Sequence, residues 1–242
     1  MNNKHSIGAW ITIGNYESTE IILQHNFDWI CIDLEHSAIS LTTMKTLISL
    51  CEKYNTKPYV RIPEINKALI SKILDAGARG IIIANVQSAE DIKKSIEYVF
   101  YSPKGSRGMG LSRAQGYGKK FDQYVSKDSK NIDIIPMIES EEAIKNLEDI
   151  LSFEEIKLSM IGPYDLSSSL NNPGDFQSKE FKSALNKYKK ISSNLDKGMG
   201  IHVVEPSKKD LLKSIKENYS FIAFSTDAII LDRSLSAVME SM

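Results

Sequence analysis

The chain has 242 residues, and its 30 Lys plus Arg stand against 31 Asp plus Glu for a formal charge of −1. That balance excludes the basic excess of a large nucleic-acid footprint and the polybasic segment of a membrane anchor. Hydrophobic residues at 42% and charged residues at 25% are ordinary globular composition, and the length suits one α/β barrel, taken as a single domain over 1–242.

The rare residue types exclude more. Cys31 and Cys51 lie in unrelated segments, so neither a disulfide framework nor a zinc ribbon is encoded, and the pattern fits a reducing cytoplasm. The four histidines, His5, His25, His36 and His202, form no HExxH or HxH motif, which argues against a Cys/His zinc site. The first 14 residues lack a signal-peptide apolar core, and no apolar run reaches about 18 residues. The expectation is a soluble cytoplasmic protein without a membrane or nucleic-acid partner.

In chain order, short β-branched runs alternate with segments of period near 3.6. Strands are predicted over 7–13, 29–34, 57–62, 80–85, 132–138, 157–161, 199–204 and 221–225. Helices are predicted over 18–25, 41–53, 67–76, 89–100, 141–151, 179–196, 207–218 and 231–239. Most strands read as continuous apolar runs (WICIDL, GIIIAN, DIIPMI), as expected of parallel strands covered on both faces. Leu41, Met44, Leu47, Ile48 and Cys51 make a one-sided helical stripe. Ser140 before Glu141 and Glu142 reads as an N-cap with acids in the first turn. Gly77 and Gly198 stand where helices should stop. Eight βα units in this length specify a (β/α)8 TIM barrel. The competing doubly wound sheet would carry a glycine-rich first turn, and Gly14-Asn15-Tyr16 is not one. One connection, 101–131, is long for a compact domain. Its Gly105, Gly108 and Gly110 with Lys104, Arg107 and Arg113 suggest either a phosphate cradle or a mobile solvated loop; no Walker lysine pattern accompanies them.

In a barrel the active site lies at the C-terminal ends of the strands. The second strand ends in Asp33-Leu34-Glu35-His36, the third in Val60-Arg61-Ile62-Pro63, the fifth in Ile138-Glu139-Ser140 and the sixth in Gly162-Pro163-Tyr164-Asp165. Glu139 and Asp165 are candidate ligands for a hard divalent ion; otherwise Glu139 is an ion-pair partner and Asp165 caps a short helix over 166–170. Arg61 can grip a carboxylate or a developing oxyanion, or pair structurally with Asp33 or Glu139. His36 is the one histidine at a strand's C-terminal end with carboxylates beside it. Asp33 can orient its ring for acid–base work, or His36 is a plain loop residue. His202, inside the seventh strand, reads as a core or rim residue, and His5 and His25 as surface. No lysine stands at a strand's C-terminal end, against a Schiff-base mechanism.

Taken together, Asp33-Leu34-Glu35-His36, Val60-Arg61-Ile62-Pro63, Ser102-Pro103-Lys104-Gly105-Ser106-Arg107-Gly108, Ile138-Glu139 and Gly162-Pro163-Tyr164-Asp165-Leu166-Ser167 resemble the metal-dependent (class II) pyruvate aldolases of the 4-hydroxy-2-oxoheptanedioate and 2-keto-3-deoxyglucarate aldolase type. The likeness runs from Gly8-Ala9-Trp10 to the last strand. It implies a barrel of the phosphoenolpyruvate/pyruvate-binding type and cleavage of a 4-hydroxy-2-oxo acid to pyruvate and an aldehyde, or the reverse. It implies Glu139 and Asp165 as metal ligands, with Mg2+ or Mn2+ bound and Co2+ or Zn2+ as alternatives. It places Arg61 on the keto oxygen of pyruvate and His36 as acid–base residue with Asp33 behind it. Main-chain N–H groups around Gly162, Pro163, Tyr164 and Asp165 would hold the carboxylate, and Trp10 falls among the substrate-binding residues. It further implies a homo-oligomer, a hexamer or trimer, with C-terminal helices exchanged. Departures are Ala84-Asn85, where many relatives carry proline, and Met137, where several carry glutamine. On this reading the 101–131 loop selects the aldehyde at the rim. A CoA-ester lyase, an oxaloacetate decarboxylase and a non-catalytic ligand-binding barrel are the alternatives.

Overall fold

The computed structural model describes residues 5–240. Its eight strands close into one parallel barrel in sequence order: β1 (Ser6–Ile11), β2 (Trp29–Asp33), β3 (Lys57–Ile62), β4 (Gly80–Ile83), β5 (Asp133–Ile138), β6 (Leu158–Ile161), β7 (Gly198–Val203) and β8 (Phe221–Thr226). The (β/α)8 expectation holds, and each predicted strand is found within three residues of its predicted ends.

The continuous apolar runs divide between two cores. Ile30, Ile32, Val60, Ile62, Ile81 and Ile83 face the helices. Trp10, Trp29, Cys31, Tyr59, Ile82, Ile135, Met137, Met160, Phe221 and Ala223 fill the barrel. Packing inside is dense: the Trp29 indole stacks on Phe221 with centroids 4.0 Å apart and planes 4° from parallel. Gly8 leaves room for it, since a Cβ there would lie 2.0 Å from the Trp29 ring.

Polar caps fix the helices. Ser40 caps α2 (Leu41–Lys53), Asn66 caps α3 (Lys67–Ala76), and Ser88 with Asp91 forms a capping box on α4 (Ala89–Val99). Gly77 ends α3 in the left-handed region at φ 108°. Gly198 instead opens β7, because the preceding helix, Lys179–Asn194, stops earlier and Asp196 takes the left-handed conformation. The helix expected over 141–151 is two, Glu141–Lys145 and Leu147–Leu151, separated at Asn146. The first helix spans Tyr16–Leu23 from its Asn15 cap, and the last spans Asp227–Met239 from Thr226, earlier than predicted.

The 101–131 segment corrects two expectations. It follows α4 and precedes β5, so it belongs to the face of the barrel where strands begin, opposite the rim where they end. It cannot select a substrate at its own chain's rim. Nor does it form a phosphate cradle or a plain loop: it carries a helix, Phe121–Ser126, and the three cations that suggested a cradle are paired. Arg107 meets Asp75 at 2.6 Å, Arg113 meets Glu52 at 2.6 Å and the Ala76 carbonyl at 2.8 Å, and Lys104 meets Glu155 at 2.9 Å.

Substituting Gly8→Ala forces a methyl into an indole that the Phe221 stack prevents from moving. The expected cost is about 2–3 kcal/mol of stability, read as a melting temperature lower by about 5–10 °C. An unchanged melting temperature would show that the barrel interior repacks freely.

Candidate active site

The site starts from strand register. Asp33 on β2 pairs directly with Arg61 on β3, so two opposite charges meet side by side where both strands end. Arg61 donates through Nε to Asp33 Oδ1 at 2.8 Å and through Nη2 to Oδ2 at 2.5 Å. Its Nη1 reaches Glu35 Oε2 at 3.0 Å. This is the bidentate fork that guanidinium geometry favours. Asp33 is fully buried and Arg61 is 9% exposed. Burial works against the Asp33 carboxylate, but the two Arg61 bonds and the Arg61 charge outweigh it and hold the acid below its ordinary value. The main-chain N–H groups of Glu35 and His36 add donors at 2.9 and 3.3 Å.

The His36 ring lies elsewhere. Its side chain is 67% exposed, and Nε2 stands 3.9 Å from Glu35 Oε2. Asp33 therefore receives the His36 main-chain N–H, not its imidazole, which turns out to solvent. The residue beside the ring is Glu35, which the sequence reading did not single out although it sits in the same Asp33–His36 run. Burial raises the Glu35 carboxyl against the pull of Arg61.

Across the mouth the balance is reversed. Glu139 ends β5 and is buried at 5% exposure. Its Oε1 accepts one main-chain N–H, from Asn85 at 2.6 Å. Asn85 adopts φ 54°, a left-handed turn after β4 that aims this N–H inward. Burial pushes the Glu139 carboxyl up to about 7; the Asn85 bond opposes this, and the charges of Asp165 and Glu35 add to it. Gly162 makes space for the group, since a Cβ there would lie 2.7 Å from Glu139 Oε2. Asp165 lies in the first turn of the helix Pro163–Ser169, as an exposed carboxylate with no hydrogen bond among the described residues. That turn narrows the expected carboxylate cradle. The Gly162 N–H donates to the Ile138 carbonyl at 3.2 Å and Pro163 has none, which leaves the N–H groups of Tyr164 and Asp165.

A carboxylate whose ionisation is opposed by burial and by neighbouring acids is stabilised by a cation. Glu139 and Asp165 offer hard oxygen donors of the kind Mg2+ and Mn2+ take, with few protein ligands and the remaining positions for water or substrate. No cluster of three or more His, Cys, Asp or Glu side chains suited to a metal occurs among the described residues.

The third side of the mouth is aromatic. Trp10 is 1% exposed; it lies beneath Arg61, whose Cζ is 5.1 Å from its ring, and donates from Nε1 to Asp33 Oδ2 at 3.3 Å. His202 stacks on it at 4.9 Å. Alternation along β7, with Ile201 and Val203 in the outer core, was the signal that sets His202 inward.

Comparison with known proteins assigns a family and a fold. Residues 6–231 match the HpcH/HpaI aldolase/citrate lyase family. The chain belongs to that family, and with it to the carbon–carbon lyases. It is 30% identical to a 4-hydroxy-2-oxo-heptane-1,7-dioate aldolase of Shigella flexneri, over 96% of this chain and 86% of the relative. It is 27% identical to a 2-keto-3-deoxy-L-rhamnonate aldolase of Klebsiella pneumoniae subsp. pneumoniae, over 97% and 88%. A family member from Burkholderia cenocepacia J2315 superposes with a TM-score of 0.92 at 22% identity, covering 99% of this chain and 95% of that one. A citrate synthase gives 0.86 at 26% identity, with 99% and 95% covered.

Replacing Asp33 by Asn leaves Arg61 buried with one charged partner, and the expected cost is about 3–5 kcal/mol at neutral pH. Because the folded Asp33 value is depressed, its contribution is present above the ordinary carboxylate range and lost as pH falls through the folded value. Denaturant midpoints of wild type and Asp33→Asn should therefore draw together as pH falls below the ordinary carboxylate range; a gap that persists unchanged into acid would show that the pair does not carry it.

Proposed function

We propose that the chain is a divalent-metal-dependent aldolase. It cleaves a 4-hydroxy-2-oxo acid to pyruvate and an aldehyde, or joins them. The observation that carries the reading is the asymmetry of the barrel mouth: a buried guanidinium fixed by Asp33 and Glu35 on one side, and the buried, under-compensated Glu139 with the unengaged Asp165 on the other. The family match supports the reaction class.

Glu139 and Asp165 hold the cation, Mg2+ or Mn2+ by donor chemistry, with Co2+ and Zn2+ as alternatives. When bound, it supplies Lewis-acid stabilisation of the charge that develops at the 2-oxo group. The Tyr164 and Asp165 N–H groups receive the substrate carboxylate. Arg61, already oriented by its fork to Asp33, meets the keto oxygen as charge accumulates there and needs no reorganisation to do so. His36, whose exposed ring can reach solvent and substrate alike, takes the proton of the C4 hydroxyl as the C3–C4 bond breaks and the electron pair passes to pyruvate's enolate. General-base help of this kind contributes about 10²–10⁴ in rate. A CoA-ester condensation or cleavage on the same enolate chemistry is the second reading, favoured by the likeness to a citrate synthase.

Homo-oligomer formation belongs to the same proposal. Leu231, Leu235, Val238 and Met239 stand 55–65% exposed on one side of the last helix, an apolar stripe at helical spacing that a second copy would cover. No helix among the described residues is long and apolar enough to cross a membrane. A site in the cytoplasm fits the two free cysteines.

Pyruvate release from a 4-hydroxy-2-oxo acid should fall at least a hundredfold with EDTA and in Glu139→Ala; activity surviving both would end the metal reading. His36→Ala should lose cleavage by a similar factor while Mn2+ affinity stays within twofold. C–C cleavage of an added CoA ester to a shorter acyl-CoA, with no pyruvate released from any 4-hydroxy-2-oxo acid, would favour the second reading. Leu235→Glu should shift light-scattering mass towards the monomer.

A further inference from the structure

Trp10 is too deeply buried to hold a substrate directly, yet it touches the groups that matter most. One face of the problem is the guanidinium of Arg61. Its three nitrogens are fixed in their own plane by Asp33 and Glu35, but nothing in that plane sets its height above the barrel floor. The indole of Trp10 does so, at 5.1 Å from Arg61 Cζ, and also donates to Asp33 Oδ2 at 3.3 Å. What holds the indole is the His202 ring, stacked at 4.9 Å with planes 25° apart.

His202 is in turn held by an unusual piece of backbone. The register of β8 against β1 shifts between Gly8 and Trp10, so that Ala223 pairs with Gly8 and Thr226 with Trp10. The bulge contains Ser225 at φ 55°, fully buried, with its Oγ lacking a partner among the described residues. A non-glycine residue in the left-handed region and an orphaned buried hydroxyl are both unfavourable, and such features persist where the surroundings impose them, often beside active sites. What the bulge delivers is the Ser225 carbonyl, 3.1 Å from His202 Nε2. A carbonyl only accepts, so Nε2 carries the proton. The ring is neutral: burial, with the Arg61 charge adding to it, lowers its value to about 4 against the pull of Ser225. A neutral ring stacks on the indole without repelling the guanidinium beyond it.

We propose that His202 is a positioning residue for Arg61, acting through the stack with Trp10, and that the Ser225 bulge exists to hold its ring in place. The inference rests on the reading that Arg61 meets the keto oxygen. Removing the ring lets the indole turn into the space left behind; its Nε1 bond to Asp33 Oδ2 is lost with it, and the fork that seats Arg61 loses that anchor. Since Arg61 acts on charge that develops during bond cleavage, the loss falls on kcat and on kcat/KM together.

The test compares His202→Ala, His202→Asn and His202→Phe in the full chain. Phe keeps a ring on the indole without the Ser225 bond; Asn can keep the bond without the ring. We expect Ala and Asn to lower kcat for pyruvate release about tenfold, with Mn2+ affinity within twofold of wild type, and Phe to stay within about threefold. If the alanine variant does not fold, His202→Leu, which fills space without a ring, takes its place. Full activity in Ala or Leu, or rescue by Asn and not by Phe, would overturn the proposal. A second readout does not need the reaction. In a Trp29→Phe background, where Trp10 is the sole indole, removal of the His202 ring should change the near-ultraviolet circular dichroism of Trp10, and Phe should restore it. If the wild-type chain releases no pyruvate from any 4-hydroxy-2-oxo acid, the functional reading fails, while the dichroism still decides whether His202 holds Trp10; an unchanged spectrum would overturn that too.

Discussion

The fork between Arg61 and Asp33 is the interaction on which the rest of the mouth depends. It follows from one register: the last residue of β2 lies opposite Arg61 on β3, and both side chains turn inward above a floor of Trp10, Cys31 and Tyr59. Removing two such charges from water is costly unless the hydrogen bonding is nearly complete. Here Nε, Nη1 and Nη2 each reach a carboxylate, and Asp33 collects two main-chain N–H groups as well. A guanidinium this thoroughly engaged on one edge cannot follow a substrate; the substrate must come to it. That rigidity is what preorganised charge stabilisation requires.

The other half of the mouth follows the opposite rule. Arg61 is matched by acids; Glu139 has no basic side chain bonded to it among the described residues, and only the more distant Arg61 charge favours its ionised form. Asn85 supplies a single N–H and Gly162 supplies room, while Asp165 and Glu35 add like charge. A pair that is complete and a pair that is incomplete stand a few strands apart on one rim; under the proposed function they divide the labour between holding a shape and accepting a cation. The family match assigns the reaction class without fixing the aldehyde partner, and the divided mouth gives that class a physical basis in this chain.

Much of this was legible in the chain itself. The apolar runs at eight places, the caps at Ser40, Ser88 and Ser140 and the polar residue types at strand ends sufficed for the barrel and for the list of groups at its mouth. What pattern could not convey was which polar group faces which. Asp33 stands three residues from His36, and sequence spacing suggested an orienting pair; the strand register gave Asp33 to Arg61 instead, because a neighbouring strand is closer than the next turn of the same loop. His202 read as a core or rim residue, since a histidine within an apolar strand carries no sign of its ring partner. The 101–131 stretch looked like a loop free to reach the rim, since glycines and cations in sequence do not show that Arg107 and Arg113 are spent on the ends of neighbouring helices.

The one hydrogen bond that Glu139 receives comes from backbone. A donor of that kind survives replacement of its own side chain, provided the new residue tolerates the left-handed turn at position 85. Asn85 is exposed, so its side chain can change while the seat of the buried acid stays as it is. Proline at position 85, which has no N–H and cannot take a φ of 54°, would remove the donor in this chain. The strand-end turn thus separates what the site must keep from what it is free to vary, and it does so within a single residue.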